Sequence, residues 1–239
     1  GFAVVPDPAE RKRNPDSFFC LGAISAWGSR QCEHAKNRRW PKDAPERCAE
    51  LLRIAGIPLV RDFNNSPQNQ KGLNQYTFQK SFDHTADLLQ KRGIAMATFF
   101  EGAPDFLRWN RKGIFPRFPD DLVGTFDFMK KFAEHYCGKV RVLEYFNEPD
   151  IANWPNEPVW DFVSAAKAAS LGFRAGNPDA VILNGSLAKI HILYPELMFE
   201  NELAAYIDAF NVHNYLSPLP MKKEICQWMA LLKRWKLDA

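Results

Sequence analysis

A chain of 239 residues that is 46% hydrophobic and 25% charged can build one large core and is too apolar for a disordered segment. Its 31 basic and 28 acidic residues leave a net charge of +3, too little to imply a nucleic-acid partner. No run of about 18 continuous apolar residues occurs, so no membrane-spanning helix is expected.

The basic clusters Arg11-Lys12-Arg13 and Asn37-Arg38-Arg39 read as exposed loop charge. The five cysteines show no CxxC pair and no Cys/His ligand spacing, so no zinc site is suggested, and no cofactor is expected. Cys20 and Cys137 lie in apolar surroundings and are expected to be buried thiols. Cys32 and Cys48 pair only if the protein is exported and their geometry allows it. The compartment stays open, and a secreted or periplasmic one is compatible with these cysteines. The opening Gly-Phe-Ala-Val-Val-Pro has no initiator methionine and no signal-peptide core, which suggests an N-terminus removed or not included.

In chain order, 1–17 reads as a polar, proline-containing lead-in and 18–239 as one domain. Phe18 to Ile24 is continuously apolar, as expected of a strand covered on both faces. Asp43-Ala44-Pro45-Glu46 then supplies an acidic N-cap, an early proline and a glutamate three residues on. Cys48, Leu51, Leu52 and Ala55 make that helix's apolar face, and Gly56 ends it. Ile57 to Phe63 is the second strand, with Arg61 and Asp62 at its C-terminal end. After a polar loop, Phe78, Phe82, Ala86 and Leu89 mark a helix closed by Gly93. Ile94 to Phe100 is the third strand, and Glu101 follows it directly.

A long aromatic loop through Phe106, Trp109, Phe115 and Phe118 leads to a helix carrying Phe126, Met129, Phe132, Ala133 and Tyr136. The fourth strand starts at Val140 and ends near Asn147, because Pro149 cannot donate to a ladder, and it holds Glu148 at its end. A helix over 158–175 and a fifth strand over 180–185 follow. Then come a helix around 194–206, a sixth strand over 209–215 and an amphipathic helix over 222–236. Ile225, Met229, Leu232 and Trp235 form the apolar stripe of that last helix.

Six apolar strands, each followed by a helix at intervals of roughly thirty to forty-five residues, predict parallel βα units. An open doubly wound sheet usually carries a GxGxxG turn after its first strand, and Gly22 and Gly28 stand too far apart for one. The fold class is therefore α/β, a (β/α)8 TIM barrel of which six units are present and two are missing. In such a barrel the polar groups just past the strands converge on one rim. They are Arg61 and Asp62, Glu101, Asn147, Glu148 and Asp150, Asn184, and His213 with Tyr215. Amides, carboxylates, a guanidinium, an imidazole and a phenol suit a sugar, and Trp27, Trp109, Phe115, Trp154 and Trp160 are candidates to stack on its ring faces.

Asn147-Glu148-Pro149 at the end of the fourth strand, Arg61 at the end of the second and His213-x-Tyr215 on the sixth resemble clan A of the glycoside hydrolases. The E-x-x-NEPD form and the APDFLRW segment look most like the branch that holds β-xylosidases and α-iduronidases. The resemblance implies a retaining glycosidase with a carbohydrate substrate. In it Glu148 matches the acid/base, Asn147 the group that binds the sugar's 2-hydroxyl, and Arg61 the cation near the nucleophile. His213 and Tyr215 match the pair that orients the nucleophile and lines the first subsite. Glu101, Trp154 and Trp109 are candidate subsite contacts. In the clan the nucleophile ends the seventh strand, so it is expected beyond residue 239, and these residues alone are expected to be inactive.

Other readings stay open. Glu144, inside the fourth strand, reads equally as a second rim carboxylate or a paired structural charge. Arg61 alone would be a structural ion-pair residue as often as a site residue, and a lone His213 would be a satisfied core histidine. A non-catalytic carbohydrate-binding barrel, with Glu148 as a hydrogen-bonding remnant, is the alternative function.

Overall fold

The computed structural model describes residues 20–22, 43–65, 69–108, 118–151, 157–188, 193–213 and 217–237. In order, these form strand β1 (Cys20–Gly22), helix α1 (Ala44–Ala55) and strand β2 (Leu59–Asn65). A small hairpin of β3 (Gln70–Gly72) and β4 (Gln75–Tyr76) precedes α2 (Lys80–Gln90) and β5 (Ala95–Glu101). Next come α3 (Leu122–His135), β6 (Val140–Glu144), α4 (Val159–Gly176), β7 (Val181–Leu183), α5 (Leu193–Glu200) and α6 (Pro218–Arg234).

β1, β2, β5, β6 and β7 are successive neighbours in one sheet, and every pairing is parallel. The predicted sixth strand is reduced to parallel bridges, Leu183 with Ala209 and Leu187 with Val212. A helix sits in each crossover and the strand order never reverses, which is the winding of a (β/α)8 barrel rather than of a doubly wound sheet. Six strand positions of that barrel are present among the described residues.

Strand alternation divides the side chains between two layers. Val60, Met96, Phe100 and Leu143 are buried on the helix side, where Phe100 meets Phe132 of α3 with ring centroids 5.0 Å apart. Arg61, Phe63, Ala97, Phe99 and Glu144 take the opposite face, towards the barrel axis. α3 and α4 approach closely where Gly172 faces the backbone of Phe126 and Gly176 that of Lys130; a Cβ at Gly172 would overlap the Phe126 carbonyl oxygen. Two large parallel helices can approach that far only through a residue without a side chain.

Several local expectations are corrected. Asp43 precedes α1, but its side chain makes no cap and instead accepts from Arg47 Nε at 2.6 Å. Leu51 is exposed, and the buried face of α1 is Ala44, Ala49 and Leu52. On α6, Ile225 and Met229 face outward and Trp228, Leu231 and Leu232 face inward, so the stripe is rotated by about one position. Cys137 is exposed because it falls in the turn after α3 ends; Cys48 is a half-buried free thiol. Cys32, the lead-in 1–17 and the loop 25–42 lie outside the described residues, and of Cys20 only the backbone is described.

Candidate active site

The site is built around a guanidinium and a carboxylate from two strands that are not neighbours. Arg61 on β2 donates through Nε to Glu144 Oε2 at 2.9 Å and through Nη2 to Glu144 Oε1 on β6. β5 lies between them, and in register the residue separating the two strands is Ala97, opposite Arg61 on one side and Val142 on the other. A methyl group leaves the guanidinium room to cross. Phe99, two residues on, covers the crossing: the Arg61 Cζ lies 3.8 Å from its ring centroid, a cation–π contact.

Glu144 is 1% exposed, and an ionisable group is stable there only if its hydrogen-bonding capacity is filled. Besides Arg61, its carboxylate accepts from Ser186 Oγ at 2.5 Å and from Asn211 Nδ2 at 2.7 Å. Four donors occupy the roughly four lone-pair sites a carboxylate offers. Of the two readings that the sequence left open for Glu144, the structure therefore selects the paired structural charge.

The same guanidinium fixes Asn147. Arg61 Nη2 donates to Asn147 Oδ1 at 2.8 Å, and Ser186 Oγ stands 3.4 Å from that oxygen. A donor facing Oδ1 sets the orientation of the amide and turns its NH2 away from Arg61. Asn184 acts as a clamp between strands, accepting from the Asn211 amide at 2.5 Å and donating to the Asn211 carbonyl at 3.2 Å. In that way the irregular sixth segment is held to β7 without a continuous ladder.

Glu148 has a φ of 53°, uncommon for a residue with a Cβ. Its N–H donates to the Ser186 carbonyl at 2.7 Å, and Pro149 follows, so the turn is held from both sides. The turn brings the Glu148 Oε1 to 2.7 Å from His213 Nδ1, with both side chains less than a fifth exposed. His213 is placed by its own backbone, whose N–H donates to the Leu187 carbonyl at 2.7 Å. A carboxyl in contact with an imidazole can exchange a proton with a bound ligand and hydrogen-bond its hydroxyls.

Of the residues singled out from the sequence, Arg61 meets Asn147 and His213 meets Glu148, two pairs joined through the adjacent residues 147 and 148. Glu101 ends β5 opposite Asn65, and of it only the backbone is described. Tyr215, Trp109 and Trp154, like Trp27 and Phe115, lie outside the described residues. Trp160 is in α4 and 57% exposed. Asp62 is turned to the helix side and 1% exposed and Asn184 is the clamp, so these two do not line the rim as expected, while Asp150 is partly exposed and accepts from the Ala188 N–H at 2.7 Å. Ser186 and Asn211 were not anticipated; a serine and an asparagine near strand ends carry no distinguishing pattern.

No protein-family profile matches the sequence, and no curated protein matches it. In fold the chain is similar to solved glycoside hydrolases, among them members of clan A. A family 39 glycoside hydrolase from the gut symbiont Bacteroides cellulosilyticus is 18% identical, with a TM-score of 0.61 over 76% of this chain and 38% of that one. A glucosidase from Croceicoccus marinus is 13% identical, with a TM-score of 0.63 over 79% of this chain and 45% of that one. Xylanase 10B from Thermotoga petrophila, solved with xylobiose, is 14% identical, with a TM-score of 0.58 over 80% of this chain and 63% of that one. The chain thus has part of the (β/α)8 fold of these glycosidases and spans between 38% and 63% of their length.

Proposed function

We propose that the chain carries the acid/base half of a retaining O-glycoside hydrolase site. Glu148 is the acid/base: it protonates the departing glycosidic oxygen and then draws the proton from the water that enters. Asn147 and Arg61 hold the sugar, and His213 orients the Glu148 carboxyl. The observation that carries this is the 2.7 Å Glu148–His213 pair at a strand end beside the Arg61–Asn147 pair. Tyr215, Glu101, Trp154 and Trp109 are further contacts to the sugar in the same proposal. The xylanases and the glucosidase of similar fold suggest a β-linked xylo- or gluco-configured substrate.

Retention of configuration needs a second carboxylate about 5–5.5 Å from the first, acting as nucleophile. Glu144 is unsuited, since its oxygens are committed to four donors. As the resemblance to clan A implies, the proposed nucleophile ends a seventh strand, outside these 239 residues. The test is to assay aryl β-xylosides and β-glucosides with the 239-residue chain and with a protein extended through that strand. Turnover by the extended protein alone is expected. Normal turnover by the 239 residues contradicts the placement of the nucleophile. Sugar binding without turnover in the extended protein favours a carbohydrate-binding barrel.

A further inference from the structure

Glu144 joins two arms of the site that end on the neighbouring residues Asn147 and Glu148. One arm runs through Arg61 to Asn147, which hangs from Arg61 Nη2 by a 2.8 Å bond. The other runs through Asn211, whose Nδ2 donates to Glu144 Oε2 at 2.7 Å. Two residues beyond Asn211 is His213, which meets Glu148. The segment carrying Asn211 and His213 is held by two parallel bridges with their backbone bonds and, beside them, by the side-chain bonds of Asn184 and Asn211. Ser186 Oγ spans the two arms, donating to Glu144 and lying next to Asn147 Oδ1.

On the donor side, Arg61 Nη1 and Asn147 Nδ2 have no acceptor among the described residues, while the rest of the guanidinium and the amide oxygen are committed. Both groups are partly exposed. Rigidly held donors with open valence cost a ligand less ordering entropy than free side chains do.

We infer that Glu144 is the positioning residue of this site: one buried carboxylate sets the Arg61–Asn147 donors that receive the sugar and the His213–Glu148 pair that handles the proton. It does so without touching the ligand. The inference rests on the carbohydrate reading for its ligand, and on the geometry alone for the coupling between the two arms.

The decisive comparison is between wild type, Glu144→Gln and Asn211→Ala. Gln keeps the shape but puts an NH2 where one carboxylate oxygen accepted two donors. The readouts are the ring-nitrogen NMR signals of His213, the Nε–H signal of Arg61, and the affinity for xylobiose and cellobiose, with the unfolding temperature as a check on folding. In Glu144→Gln the Arg61 and His213 signals are expected to move to those of solvated side chains, and affinity to fall by about tenfold or more, as for a lost charged hydrogen bond. Asn211→Ala, the milder change, should move the His213 signals and leave Arg61 as it is. Unchanged His213 signals in either folded variant overturn the coupling. If wild type binds neither sugar, the glycosidase reading fails, and the His213 comparison still decides the coupling.

Discussion

Arg61 and Glu144 lie 83 residues apart in sequence and are joined across β5 by two hydrogen bonds, one of them 2.9 Å long. Removing one member leaves the other in a place built for a pair. Glu144→Leu is expected to lower stability by about 3 kcal/mol, the low end for breaking a buried ion pair, since Arg61 keeps some contact with water. The double variant Arg61→Leu/Glu144→Leu should recover most of that loss, because it leaves no uncompensated charge. Urea unfolding of the two variants measures both effects, and equal losses would contradict the pairing argument.

The α3–α4 contact makes a prediction of unusual sign. Gly→Ala inside a helix ordinarily stabilises by about 1 kcal/mol. At Gly172 the new methyl meets the Phe126 carbonyl, so Gly172→Ala should instead destabilise by about 1–3 kcal/mol through overpacking. A fall in melting temperature is expected, and a rise would mean that the helices can separate freely.

Two buried phenols make the fold sensitive to base. Burial, and then the bond its hydroxyl donates to Asp83 at 2.6 Å, push the Tyr136 phenol far up. Burial does the same to Tyr145, with the Glu157 charge a smaller cause. In the unfolded chain both ionise near pH 10, and in the folded chain they do not. Above about pH 10 the unfolded state therefore binds fewer protons, and stability falls with pH by up to roughly 1.4 kcal/mol per unit for each group. Below pH 10 the contribution is fully present. Tyr136→Phe and Tyr145→Phe should each flatten the loss, measured by unfolding between pH 9 and 11. Ultraviolet titration should show both phenols resisting ionisation until the protein unfolds.

Most of the framework was legible in the sequence. The runs at Ile57, Ile94 and Val140 became β2, β5 and β6, because strands covered on both faces must be continuously apolar. The hairpin at Gln70–Tyr76 was missed, being short and polar. Of the sixth strand expected over 209–215, the described residues pair at two bridges, Leu183 with Ala209 and Leu187 with Val212. The placing of Arg61, Asn147, Glu148 and His213 near strand ends was legible from residue type and position. What joins them was not legible: the reach of Arg61 depends on Ala97 being small, and the bonds of Ser186 and Asn211 depend on register between strands. Glu144 did carry a signal, a lone acid within an apolar strand, but only its hydrogen-bond partners separate structural from chemical use.

The most direct measurement is kcat/KM of Glu148→Gln, in a protein extended through the seventh strand, on two substrates that share a sugar and differ in leaving group. A xylobiose or cellobiose bond releases a poor alkoxide and needs a proton, whereas a dinitrophenyl glycoside releases an anion that does not. Loss of a general acid should cost the disaccharide about a hundred- to ten-thousand-fold and leave the dinitrophenyl glycoside within a few-fold of wild type. Equal losses on both substrates, or disaccharide hydrolysis that survives the substitution, would contradict Glu148 as the proton donor.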